Sequence, residues 1–172
     1  MRGIKVSRLK KIILIILIVF ACAGCDQSTK YVASHNLDRN ETSSYFYDTF
    51  RLQYAENKGA FLGLGNNLSE ETRFILFSVI VSIVLGSLLT YMILSKKLST
   101  YSITSLSLVL SGGLSNLYDR ILNDGSVVDF LNLGIGSLRT GIFNFADVFI
   151  MVGFFMLILV KDKTSNTERH DL

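Results

Sequence analysis

Residues 74–94, FILFSVIVSIVLGSLLTYMIL, are 21 consecutive residues without a charge. A run of this length and apolarity satisfies its own backbone as a helix and has no face to offer water. It is expected to cross a membrane, and every other segment must then be placed relative to a bilayer. Hydrophobic residues make up 49% of the chain and are clustered rather than periodic, which agrees with that class. Pro is absent, so no Pro-rich linker divides the chain, and a single integral membrane domain is expected over residues 1–172.

Three further apolar segments follow from the same criterion. Residues 101–118 and 142–160 are mostly apolar, with Gly112-Gly113 where helices can approach closely. Near the start, five Lys/Arg in residues 1–11 precede the apolar run 12–24. That segment has two readings. A basic stretch, a short apolar stretch and small residues before Cys25 resemble a lipoprotein signal peptide cut before the cysteine. The other reading is a retained first helix. Between the first and second apolar segments, residues 26–73 are polar and mixed. DQSTKYVASHNL is able to continue as a short helix. Phe50 to Tyr54 alternates as a half-buried strand, Asn57-Lys58-Gly59 signals a turn, and residues 60–65 are read as a possible returning strand.

The expected fold is therefore a membrane all-α bundle of four transmembrane helices, near residues 8–25, 74–94, 101–118 and 142–160. A small extracytoplasmic β-containing cap over residues 26–73 completes it. Basic residues concentrate before the first span, at Lys96-Lys97 and in the tail, whereas the two opposite segments together carry a net of three negative charges. The positive-inside rule then places both termini in the cytoplasm and the acid-rich segments outside.

The candidate chemistry lies between Ser111 and Ile150. Asn116, Asp119 and Arg120 are spaced so that they share a helix face. Either they build a charge-assisted network or an Asp–Arg pair simply ends a helix at the interface. Asp129, flanked by Val127, Val128 and Phe130, is either a half-buried carboxylate or an ordinary loop acid. Asp147 opens an apolar run with Asn144 one turn before it, and one reading is a carboxylate that complements the helix dipole. Two carboxylates on the same side of a membrane, sharing one proton, are able to activate water and protonate a leaving amine. His35 and His170 lie elsewhere, Cys22 and Cys25 belong to the first segment, and no cluster has metal-ligand spacing, so neither a metal nor another cofactor is expected. Lys30 beside Ser28 is the nearest Ser/Lys candidate and ranks low.

In order along the chain stand Asp26-Gln27-Ser28-Thr29-Lys30, Glu56-Asn57-Lys58-Gly59-Ala60-Phe61, Gly112-Gly113 with Asn116 and Asp119-Arg120, Val127-Val128-Asp129-Phe130, and Phe143-Asn144-Phe145-Ala146-Asp147. With these five motifs the chain resembles the lipoprotein signal peptidase (signal peptidase II) family, bacterial membrane aspartyl peptidases, over roughly Ile12 to Val160. The resemblance implies catalytic Asp129 and Asp147, with Asp26, Asn57, Asn116, Asp119, Arg120 and Asn144 as supporting or substrate-binding residues. It implies an enzyme of the bacterial cytoplasmic membrane that removes signal peptides from lipid-modified prolipoproteins before the diacylglyceryl-cysteine, with its site at the extracytoplasmic face. It also implies a retained first helix, membrane lipids and prolipoproteins as partners, no nucleic acid, and a monomer. Two departures from the family pattern are visible. Thr140-Gly141-Ile142 stands where a Pro is common, and a single Ala60 follows Gly59 where two are common. A non-enzymatic membrane scaffold and a proton relay through Asp147 are the competing readings.

Overall fold

The computed structural model describes residues 7–59, 65 and 67–159. It is helix-rich with one small antiparallel sheet. Helix α1 (Arg8–Asn36) is continuous through DQSTKYVASHN, so the first apolar segment and the polar motif after it form one rod. Ser7 caps its start by accepting from the Lys10 N–H. Lys11, Ile15, Asp26, Lys30 and Ala33 are its buried residues. All five follow helical spacing along one face, so α1 contributes both apolar packing and a buried polar network.

Strands β1 (Ser43–Tyr45) and β2 (Phe50–Asn57) come next. The apolar segment at 74–94 starts as a short helix α2 (Glu70–Phe74), widens into a π-helical stretch over Ile75–Ile80, and continues as α3 (Val81–Leu94). Among the described residues Glu70–Leu94 is the one helix long and apolar enough to cross a membrane, and Phe145–Leu159 is a shorter apolar helix. Helix α4 (Thr100–Leu122) is the centre of the bundle and packs on α1, α3 and α5 (Phe145–Leu159). Ile15, Leu85, Met92, Ile103, Leu110 and Leu117 form the core where α1, α3 and α4 meet.

Glycine decides the α4–α5 approach. A Cβ on Gly112 would collide with the Ala146 carbonyl oxygen, and one on Gly153 would sit 2.6 Å from the Ser105 carbonyl oxygen. Only the absence of side chains lets the two backbones come this close.

Val127–Ile135 is strand β3, and Leu138–Arg139 is β4. The sheet order is β1-β2-β3-β4, all neighbours antiparallel. The expected strand at Phe50 to Tyr54 is present, and its inner partner is β3, more than seventy residues on. The possible returning strand at 60–65 falls almost wholly outside the described residues. Between Leu52↔Leu131 and Ala55↔Asp129, β2 carries one residue more than β3, a bulge that bends the strand beside Asp129. Ala33 of α1 packs with Phe130 and Leu131, and Leu37, Phe50, Leu52, Phe143 and Phe145 close over them. This second core fixes the sheet onto the end of the helices and carries β3 to the start of α5.

Candidate active site

Helix α5 begins with a reciprocal cap. The Asn144 side-chain oxygen accepts from the Asp147 N–H at 3.0 Å, and an Asp147 carboxylate oxygen accepts from the Asn144 N–H at 3.2 Å. The sequence Asn-Phe-Ala-Asp therefore makes a capping box, and two orphan N–H groups of the helix start are satisfied. The helix begins at Phe145 rather than at residue 142. Phe143 is instead bridged to Leu131 of β3, which brings Asn144 to the strand.

With its oxygen committed to the cap, the Asn144 amide nitrogen faces the other way. It donates to Asp129 Oδ1 at 2.6 Å and, at longer range, to the Val128 carbonyl and to Asn116 Oδ1. Asn144 is fully buried. One asparagine thus binds both Asp129 and Asp147. The second Asp129 oxygen accepts from Asn57 at 3.0 Å, across the end of β2. Asn116 donates to Asp147 Oδ1 at 3.0 Å.

The orientation of Asn116 is set by Lys30, whose ammonium donates to Asn116 Oδ1 at 2.8 Å. Lys30 is 3% exposed and also pairs with Asp26 at 2.7 Å and Asp119 at 2.8 Å. Asp26 further accepts from the Ser115 hydroxyl and from the Ala146 N–H in the first turn of α5, both at 2.7 Å. Asp119 accepts from Gln27 and from the Val128 N–H. This buried network ties α1, α4, α5 and β3 together directly beneath the two carboxylates. The Asp119–Arg120 pair that spacing allowed does not form, because consecutive residues on a helix point about 100° apart. Arg120 instead donates to the Gly59 carbonyl at 2.7 Å and lies 5.5 Å from the centre of the Phe77 ring.

Asp129 and Asp147 open on one cavity of about 360 Å³, lined also by Asn57, Asn116, Arg120 and the apolar Phe77, Val81, Ile150 and Met151. Burial, and secondarily the neighbouring Asp147 carboxylate, push the Asp129 pKa up to about 7, against the partial opposition of the Asn57 and Asn144 donors. A carboxylate that holds its proton near neutrality beside a second carboxylate is suited to acid–base exchange with a water.

All eight candidate residues are found together: Asp129 and Asp147 at the cavity, Asn57, Asn116, Asn144 and Arg120 touching or flanking them, and Asp26 and Asp119 in the network below. Sequence reasoning set Lys30 aside. Its signal was available as the i, i+4 pair with Asp26 in a helix entering an apolar environment. Gln27 and Ser115 complete that network with no comparable signal. Asp124 lies on an exposed turn with positive φ, away from the dyad. Among the described residues no group of His, Cys, Asp and Glu could hold a metal ion.

A family model described as signal peptidase (SPase) II matches residues 16–161. The lipoprotein signal peptidase of Streptococcus thermophilus is 32% identical over 152 residues, covering 88% of this chain and 94% of that protein. That of Borrelia duttonii is 34% identical over 150 residues, covering 82% and 87%. That of Caldanaerobacter subterraneus is 36% identical over 143 residues, covering 83% and 91%. A solved structure described as a bacterial membrane enzyme, obtained by the in meso method at 2.3 Å resolution, superposes with a TM-score of 0.76. Its identity is 30%, over 92% of this chain and 93% of that one.

Proposed function

This chain belongs to the signal peptidase II family, peptidases that remove signal peptides from prolipoproteins, and from that premise we propose that it is an aspartyl endopeptidase whose catalytic pair is Asp129 and Asp147. The observation that carries the proposal is Asn144, which binds both carboxylates and sets them at the rim of one cavity. A water held between the carboxylates attacks the carbonyl carbon of the peptide bond before the lipidated cysteine. One carboxylate takes the water's proton while the other, protonated, hydrogen-bonds the carbonyl oxygen. Collapse of the tetrahedral intermediate breaks the C–N bond, and the leaving amine takes a proton from the pair. The net reaction is hydrolysis, and the pair ends with the one proton it began with.

The buried network below has a positioning role. Lys30 turns the Asn116 amide so that its N–H groups face Asp147, and Asp26 holds the first turn of α5 through the Ala146 N–H. Arg120 and Asn57 stand at the cavity edge, where a substrate backbone would pass. The substrate is a lipid-modified prolipoprotein whose acyl chains stay in the bilayer while its scissile bond reaches the carboxylates.

Four helices, α1, α2–α3, α4 and α5, would span the bacterial cytoplasmic membrane as one integral domain acting as a monomer, with both termini cytoplasmic and the sheet outside. The outward faces support this. Leu17 and Phe20 on α1, Ile83 and Val84 on α3, and Phe154, Phe155 and Ile158 on α5 are exposed. An apolar surface on three helices is suited to acyl chains. The test is cleavage of a purified lipidated precursor in detergent by Asp129→Asn and Asp147→Asn. Loss in both variants, with retained fold, is expected, and full activity in both would sink the dyad.

A further inference from the structure

The sheet has two ends. One carries Asn57 and Asp129. At the other, the β1–β2 and β3–β4 turns lie side by side, and their side chains are unlike those of a turn that faces water. Phe46, Tyr47 and Asp48 all have positive φ, 53°, 55° and 66°. Gly and Asn usually fill such positions, yet here two are bulky aromatics that turn outward. Phe46 is 79% exposed and Tyr47 wholly so, while Ile135 and Leu138 in the adjacent turn are 80% and 83% exposed.

The turns are rigid in spite of this. Asp48 accepts from Ser44 and Arg51 at 2.6 Å, Arg139 donates to the Asp48 carbonyl at 2.7 Å, and the Gly134 N–H donates to the Thr49 carbonyl at 2.9 Å. The carboxylate that fixes the first turn is therefore flanked by two arginines, and its charge does not stand alone at the tip. Ordered backbone, strained residues and four large exposed apolar side chains together describe a surface made to be covered.

The height of the sheet says by what. Lys11 is buried at one end of α1, donating to the Ile93 and Ser95 carbonyls at the end of α3. Ala33, the α1 residue on which the sheet packs, lies 22 residues further on. At 1.5 Å per residue the separation is roughly 33 Å. The hydrocarbon core of a bilayer is about 30 Å thick. If Lys11 marks one edge of that core, the sheet packs at the other, in the headgroup layer where Tyr and other aromatic residues are favoured.

We propose that the paired turns are an interfacial anchor, with Phe46, Tyr47, Ile135 and Leu138 seated among the headgroups and upper acyl carbons of the outer leaflet phospholipid. The catalytic proposal does not require it. Its consequence is that one end of the sheet rests in lipid while the other holds Asp129, so the sheet sets the depth of the reacting carboxylate relative to the membrane surface.

The chain contains no Trp, so Phe46→Trp and Tyr47→Trp each create a single fluorophore at the tip. Each full-length variant is reconstituted in phosphatidylcholine–phosphatidylglycerol bilayers. Bilayers brominated near the glycerol end of the acyl chains are expected to dim the emission about twofold, those brominated near the terminal methyl much less, and aqueous iodide little. Emission as red as free tryptophan, quenched by iodide and unaffected by either bromolipid, overturns the proposal. So does blue-shifted emission indifferent to both bromolipids, which would mean a protein partner covers the tip. Where neither variant folds, Ile135→Trp on the adjacent turn reads the same depth.

Discussion

At the scale of single residues, the protonation of Asp129 bears on both the proposed chemistry and the stability of the fold. Its pKa, raised from 3.8 to about 7, means that the folded protein keeps a proton which an unfolded aspartate would release. Between those two values the folded state binds more protons, so its stability falls as pH rises through that window. The proposed mechanism needs the pair to carry one proton. We therefore expect kcat/KM to fall above pH 7 by about tenfold per pH unit. A pH profile of precursor cleavage checks this, and a flat profile to pH 9 would contradict it. Asp129→Asn, neutral at every pH, should also flatten the stability profile measured by thermal unfolding in detergent. Lys30 is the other decisive residue, because it faces two buried carboxylates. Lys30→Met leaves Asp26 and Asp119 without their cation, and the expected loss is about 3–5 kcal/mol, seen as a large drop in Tm. Replacing Asp119 with Asn in the same chain removes one unpaired charge and should recover part of it.

At the scale of elements, the site depends on how closely α4 and α5 approach. The Gly112 Cα faces the Ala146 carbonyl, one turn before Asn116 on one helix and beside Asp147 on the other. A methyl there would also lie 2.8 Å from Ile150 Cγ1, so the helices must part. Gly112→Ala is expected to cost about 1–3 kcal/mol and to lower kcat, since the Asn116–Asp147 contact loosens as the two helices part. Gly86→Ala on α3, whose Cβ would meet nothing within 4 Å, should be near neutral in both measurements. The same elements show what a sequence discloses. Uncharged runs disclose helices, because hydropathy is local, whereas the Asn-Phe-Ala-Asp cap, though equally local, was passed over and the expected start at residue 142 fell three residues early. The pairing of β2 with β3 was not legible, since it joins residues seventy or more apart and its register is interrupted by a bulge. The place of Lys30 in the buried network was missed for a related reason. A buried lysine is intelligible only when its partners are known, and Asp119 arrives from another helix. Asp129 and Asp147 stood out as candidates because an acid among apolar residues is costly wherever it lies, but their pairing rested on the family resemblance.

At the scale of the whole molecule, the fold arranges charge along one axis. Arg8, Lys11 and Lys96 line a cavity at one end of the bundle, where Lys11 closes the carbonyl end of α3. The carboxylate pair, the buried network and the sheet lie at the other. In the proposed topology the cations would face the negative inner leaflet, and the acids would lie where water and a lipid-anchored substrate meet. This separation makes the proposed topology directly measurable. Cys22 and Cys25 are the chain's two cysteines, and both are replaceable by Ala, since neither touches the dyad or its network. In that background Asn123→Cys, on the exposed turn between α4 and β3, should react with a membrane-impermeant maleimide added to intact cells. Lys97→Cys, on the turn between α3 and α4, should react only after the membrane is opened. The reverse pattern would invert the molecule and place the dyad in the cytoplasm. Labelling of both in intact cells would mean that α4 and its preceding turn do not cross as proposed, and the four-span bundle would have to be redrawn around the long apolar helix at Glu70–Leu94.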